Sequence, residues 1–530
     1  MILDIKPSHG YGYDCFEDSI VSVVSWWGRE HQMMFADSWN FCFDHADSQY
    51  SMKLGDRIDI KGGANLNYLK KYHGIKVNYC NDVTNEDAIE AIKKELSVNR
   101  PVILFIDPFY CAFDRNYQKY HGTHVIIING FNENNNNFYF TDCTYMKENI
   151  EFPVNTFMEC YPRYMTLELL DDYDKDINWY EYMKSLFFNL QNDSQNCNTF
   201  ESIRKFADEI EKNLDFKVEM EGYYVNIFDA PLFTNVREIA RSRKKFSNTL
   251  KYIGERYNVE ELLLLSEKMS LLGSKWSVIE SMIIKAYMTS DSTKTLSRIV
   301  NKIRAMADDE EDAANLLLVE SEKYNSDINY LTTVNKTSDT QAYSFKKDIK
   351  LIDLTDYMNN NGFGSLSSKE NSPDLTSTGY YFLRQGLPEE KIWSVGEMRF
   401  KFPDLYDGVN DNISCFNQKI KIPAGNYHSI MLLGCAEQGD FCDRMIVEYA
   451  NGKHEEIFIK FTDWAGKPIF NETVAWQGEM VERNGENVKI FEVYITSIFA
   501  NTYFLKCDGI LKSIQLPDCP NIHIFAISLC

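Results

Sequence analysis

Asp14-Cys15-Phe16-Glu17-Asp18-Ser19-Ile20-Val21-Ser22-Val23-Val24-Ser25-Trp26-Trp27-Gly28 is the stretch from which the rest of the chain is read. Ile20, Val23, Val24 and Trp27 recur at helical spacing, so they fall on one buried face. Asp14 can cap such a helix while Glu17 reaches back to it, a capping box, and Gly28 ends it. Cys15 then stands at the first helical position. A thiol there meets unpaired backbone N–H groups and the positive end of the helix dipole. The same N–H groups could hold an oxyanion formed when sulfur attacks a carbonyl. Asp14, Glu17 and Asp18 are anionic neighbours that oppose a thiolate, so a histidine partner is required. Taken alone, a cysteine in this setting is more often a small buried apolar residue.

A partner comes from His121-Gly-Thr-His124-Val-Ile-Ile-Ile-Asn-Gly130, a strand followed by the polar turn 132–137 and the return strand Phe138-Tyr-Phe-Thr-Asp142. A turn centred near 133–134 sets His124 opposite positions 142 to 144, within reach of Asp142. A carboxylate there fixes the imidazole tautomer and frees the other ring nitrogen for a thiol. Cys15, His124 and Asp142 together suit acyl transfer through a thioester. The H-x-x-H pair could instead suggest a metal. No glutamate stands between the two histidines and the setting is a strand, so no metal is expected. The loop from Asp107 to Tyr120 is long and aromatic for a plain connection. Phe109, Tyr110, Phe113, Tyr117 and Tyr120 are candidates for lining an acyl pocket, with packing under the loop as the bland alternative.

The 530 residues are 44% hydrophobic, enough for buried cores, and the net charge of −23 argues against nucleic acid as a general partner. No basic-then-apolar leader opens the chain, and no apolar run approaches the ~20 residues that span a bilayer. Thirteen cysteines without a C-x-x-C pair read as a reduced, cytoplasmic chain. Periodicity divides it into three: 1–168 mixed helix and strand, 169–345 helical, 346–530 short alternating runs with regular turns. The helical part holds Val259-Glu-Glu-Leu-Leu-Leu-Leu-Ser-Glu-Lys268 and an acidic run, 308–312, expected to start or cap a helix at the surface. The last part holds Glu397–Phe402, Gln418–Pro423, Met445–Tyr449 and Glu456–Phe461, the mark of an antiparallel β-sandwich. A polar stretch near 325–350 reads as a linker.

Asp14-Cys15 opening a helix, His124-Val-Ile-Ile-Ile-Asn-Gly-Phe131 and Tyr139-Phe-Thr-Asp142 resemble the N-terminal domain of the butirosin-biosynthesis acyltransferase family. The middle pattern Arg241-Ser-Arg-Lys-Lys-Phe-Ser-Asn-Thr-Leu-Lys-Tyr252 with Ser274-Lys-Trp276 is similar to the helical domain that accompanies it. The resemblance implies an α+β papain-like cysteine-protease fold, followed by an all-α domain. Residues 346–530 lie outside it and look like the jelly-roll modules appended to glycosidases, without a clear sugar-binding cluster. The activity implied is transfer of an acyl chain from the phosphopantetheine arm of a carrier protein to Cys15 and on to an amine, with no bound cofactor. A thiotemplated amide synthase of the closthioamide type is the narrower form. His124 would be base and acid and Asp142 its orienter. His9 stands where papain-like enzymes often place an oxyanion-hole glutamine, a departure from that pattern.

Carrier proteins are commonly acidic, so the basic island Arg237, Arg241, Arg243, Lys244 and Lys245 becomes a candidate docking face. A solvated helical face is the plainer reading. Two other functions compete: a papain-like cysteine peptidase using the same triad, and a non-catalytic assembly or glycan-binding protein.

Overall fold

The computed structural model describes residues 2–10, 12–44, 51–81, 84–114, 116–154, 156, 163–192, 197–223, 226–288, 293–326, 349–368, 373–388, 390–406, 408–485, 487–507 and 509–530. By compactness the chain falls into two units, Met1–Gly273 with Ile303–Ile328, and Ser274–Lys302 with Asn329–Cys530. The three-way division by periodicity is a division by kind of element. The linker expected at 325–350 lies almost wholly outside the described residues.

The first unit is built on a six-stranded antiparallel sheet. Its spatial order is Ile75–Cys80, Arg163–Leu169, Val102–Ile106, His124–Asn132, Asn137–Asp142, Lys147–Pro153. The central strands carry Val-Ile-Leu-Phe-Ile and His-Val-Ile-Ile-Ile, runs without alternation. Both faces of such a strand must be covered, and nearly all of these residues are buried. One cover is the helix Cys15–Trp26, whose Ile20, Val23 and Val24 are fully buried against the strand that begins with His124. The hairpin partners sum to 269 at its turn, as in Asn132↔Asn137, and to 268 beyond Gly130, as in Ile127↔Thr141. The register shifts at Asn129, whose amide side chain donates to Leu3 O, Thr141 Oγ1 and Asn149 Oδ1.

The helical region runs through Trp179–Gln191, Thr199–Asn213, Pro231–Tyr257, Glu260–Met288 and Thr293–Ser326. The acidic run 308–312 neither starts nor caps a helix: it lies in the middle of Thr293–Ser326. One of its residues is turned inward. Glu310 is fully buried and takes Arg243 Nε at 3.0 Å and Nη2 at 2.7 Å, one per oxygen, with Trp39 Nε1 at 2.9 Å. Asp308 and Glu311 face outward and share Arg204.

The cysteines are not all reduced. Phe41 and Phe43 pack on Phe206, with ring centroids 5.9 and 5.3 Å apart. This brings Cys42 beside Cys197, and the two form a disulfide across 155 residues of sequence. Nothing in the spacing of the cysteines singled out that pair.

The second unit is a multi-strand β-sandwich-like region. An eight-stranded sheet has Ser429–Ala436, Ile522–Leu529 and Asn487–Phe504 at its centre, and a four-stranded sheet holds Lys419–Asn426, Ile510–Gln515, Phe441–Tyr449 and His454–Phe461. Each of the four alternating runs read from the sequence lies in a strand, with no more than one residue beyond either end: Met398–Lys401, Lys419–Asn426, Phe441–Tyr449 and His454–Phe461. Among the described residues no helix is long and apolar enough to cross a membrane.

The buried Arg243–Glu310 pair generates a stability prediction. Arg243→Ala leaves a buried carboxylate unpaired and should cost about 3–5 kcal/mol of first-unit stability. The double variant Arg243→Met/Glu310→Met should regain most of it. Denaturant midpoints of the three proteins check this.

Candidate active site

The head of the Cys15–Trp26 helix is built as its sequence implies. Asp14 Oδ1 accepts Glu17 N–H at 2.8 Å and Glu17 Oε2 accepts Asp14 N–H at 3.0 Å, closing the capping box. Cys15 is the first helical residue and half-buried. Two of its three anionic neighbours have partners. Glu17, fully buried, meets Lys245 Nζ at 2.8 Å. Burial pushes the Glu17 carboxyl up, to about 7, against the pull of Lys245. Asp18, also buried, takes His9 Nδ1 at 2.6 Å and Gly10 N–H at 2.8 Å. Burial raises its pKa while His9 draws it back.

His124 opens its strand with its ring almost wholly enclosed. Nε2 lies 2.8 Å from Asp142 Oδ2, and Asp142 Oδ1 accepts the N–H of Tyr145 at 3.0 Å. Asp142 is fully buried, and the Tyr145 ring stands edge-on to the imidazole at 5.9 Å. The other side-chain partner of the imidazole is the Cys15 thiol. Burial alone would favour a neutral ring. Asp142 and Cys15 outweigh it and push His124 up to about 10, so the imidazole holds a proton throughout the neutral range. The structure therefore hydrogen-bonds His124 to Asp142 and leaves Cys15 close enough to the imidazole to act on its charge.

The remaining candidates divide. His9 stands on the Cys15 helix through Asp18, with its ring 62% exposed. Phe109 and Tyr110 gather around His121, with Phe109 stacked on that ring at 4.1 Å. Tyr117 is exposed and Tyr120 half-buried. Phe113 is half-buried and packs on the rings of Phe140 and Phe152 at the edge of the core, at 4.7 and 6.4 Å. Three of the five residues of the basic island are closed to a docking partner. Arg243 and Lys245 are fully buried and Lys244 is 8% exposed. Arg243 is consumed by Glu310, and Lys245 by Glu17, Glu238 and Gly62 O. Arg237 and Arg241 are half-buried. The helix Pro231–Tyr257 is long enough to pass through the interior, so charges that look like a surface patch in sequence meet internal carboxylates.

Two other thiols near the site have different surroundings. Cys143 is buried beside Ser22 Oγ at 3.3 Å and burial pushes it up to about 11; Cys111 is buried with its sulfur 3.5 Å from Asp107 O. Among the described residues no group of three or more His, Cys, Asp or Glu is placed to hold a metal. Sequence reasoning missed Tyr145, which anchors Asp142, and the carboxylate partners of His9 and His121. Asp18 had a signal, since it lies one turn from Cys15. Asp107 had none, because only loop closure brings it to His121.

The His124 shift fixes a direction for stability against pH. The folded state holds this proton to about 10, whereas the free imidazole releases it near 6.5. The contribution is complete below 6.5 and is lost as pH rises from there to 10. The melting-temperature difference between the protein and His124→Asn should therefore shrink across that window. A difference that grows instead contradicts it.

Residues 14–143 match the model of the family described as butirosin biosynthesis protein H, N-terminal. Residues 347–530 match the AziU2-like beta-sandwich domain, which gives the last region a relation other than the glycosidase-appended modules its strands suggested. No curated protein matches the chain. The stretch that carries Cys15, His124 and Asp142 is thus similar to the butirosin biosynthesis protein H N-terminal domain, and the C-terminal stretch to the AziU2-like β-sandwich domain.

Proposed function

We propose that the protein is a cysteine acyltransferase of secondary-metabolite biosynthesis, with a papain-like N-terminal domain. It takes an acyl chain from a carrier-protein thioester and passes it to an amine. The observation that carries this reading is the buried imidazole of His124, held by Asp142 through Nε2 and raised in pKa by both Asp142 and Cys15. The two domain families suggest a biosynthetic acyltransferase family and support the reading at that coarser level.

In this mechanism the Cys15 sulfur attacks the thioester carbonyl of the phosphopantetheine arm. The oxyanion that forms meets the N–H groups at the helix head, with His9 as a second donor beside them. His124 gives its proton to the departing phosphopantetheine sulfur, leaving an acyl group on Cys15 and a neutral imidazole. An amine then attacks the Cys15 thioester through a second oxyanion, and the sulfur leaves to rejoin His124. Asp142 keeps the ring oriented through both halves, and Tyr145 keeps Asp142 in place. Carrier docking in this reading uses a surface other than Arg243, Lys244 and Lys245.

Intact-mass measurement after incubation with an acyl-loaded carrier protein tests it. The protein should gain the mass of the acyl group, Cys15→Ala should gain none, and His124→Ala should acylate at least ~10²-fold more slowly while remaining folded. Cleavage of a peptide library without any acyl adduct from the carrier would replace this reading with a peptidase.

A further inference from the structure

The mechanism above leaves one well-built histidine unused. His121 has a carboxylate of its own: Nδ1 lies 2.7 Å from Asp107 Oδ2, and Asp107 Oδ1 accepts the backbone N–H groups of Phe109 and Gly122 at 3.0 and 3.2 Å. One face of the ring rests on Phe109, yet 62% of the side chain is exposed. The imidazole is therefore fixed at one nitrogen and one face while the rest stays open to a ligand. The ladder sets its place. Ile106 pairs with His124, so Asp107 and Gly122 continue off the end of the same two strands. Three residues of chain hold the His121 Cα within about 11 Å of that of His124.

A proton count shows what such a group is needed for. An alkylamine with a pKa of about 10.4, like a lysine side chain, arrives at neutral pH as an ammonium ion. To become an amide nitrogen it must lose two protons, one before it can attack and one as the tetrahedral intermediate collapses. The neutral His124 left by acylation accepts one of them and returns to the imidazolium that pairs with the released sulfur. A second base must accept the other.

We infer that the Asp107–His121 pair is that base and marks the acceptor-amine side of the centre, an inference that rests on the acyltransferase reading. His121 Nε2 takes a proton from the ammonium and passes it to solvent. The freed lone pair forms the C–N bond, the C–S bond breaks with its electrons going to Cys15, and His124 takes the remaining proton. The balance is one acyl-enzyme and one ammonium in, and one amide, one thiolate–imidazolium pair and one solvent proton out.

The test loads Cys15 with acetyl from S-acetyl-N-acetylcysteamine and follows discharge by mass. The two probes are ethylamine, charged at pH 7, and hydroxylamine, which is already uncharged there. In His121→Asn and Asp107→Asn, acetylation and hydroxylamine discharge should stay within about twofold of wild type. Ethylamine discharge should fall about 10²-fold and recover as pH rises towards the pKa of the amine. Unchanged ethylamine discharge overturns the inference, as does an equal fall in all three steps, which would mark a purely structural role. Wild-type acyl-enzyme that ethylamine cannot discharge overturns it alone. Wild-type protein that never acetylates at Cys15 removes the acyltransferase reading itself.

Discussion

A buried imidazole gripped from two sides is the constraint around which the first unit is arranged. Burial works against a proton on His124, and Asp142 with Cys15 works for it. Each grip depends on a different part of the chain. Asp142 comes from the return strand of the hairpin and is fixed by the Tyr145 backbone, while Cys15 arrives on a helix that must lie at one height along the sheet. The fully apolar strand 124–128 and the buried Ile20, Val23 and Val24 set that height. The long-range packing of helix on strand is thus what makes the short-range chemistry available.

Charge at the helix head is managed by the rest of the unit. Three carboxylates surround the sulfur in sequence, an arrangement that would work against an anion there. Lys245, reaching in from the helix Pro231–Tyr257, answers Glu17, and His9 answers Asp18. Lys245 also binds Glu238 and Gly62 O, so the helical region and the loop before residue 66 are tied to the same point. The helical region therefore supplies part of the electrostatic setting of Cys15, beyond covering the sheet.

The local parts of this design were legible in the sequence. The capping box, the glycine stop, the hairpin and the reach of Asp142 to His124 follow from rules spanning a few residues, and the last shifts only by the irregularity at Asn129. Interior charge was not legible. Arg243 and Lys245 look like part of a solvated patch because their partners, Glu310 and Glu17, lie far away in sequence. The acidic run 308–312 misled for the same reason: one of its members faces inward. Phe113 packs on Phe140 and Phe152, ring neighbours that come from strands outside its own loop. In each case a tertiary partner decided the role that composition suggested differently.

The Cys42–Cys197 bond has a topological consequence. The cystine closes one large loop that contains the entire six-stranded sheet, including His124 and Asp142, but leaves Cys15 outside it on the N-terminal tail. A protease nick anywhere between residues 43 and 196 would leave one covalent molecule until a reductant was added. A nick between residues 28 and 41 would cut the only covalent link of the nucleophile-bearing peptide at once, leaving it held by non-covalent contacts such as its packing on the strand and the Glu17–Lys245 pair.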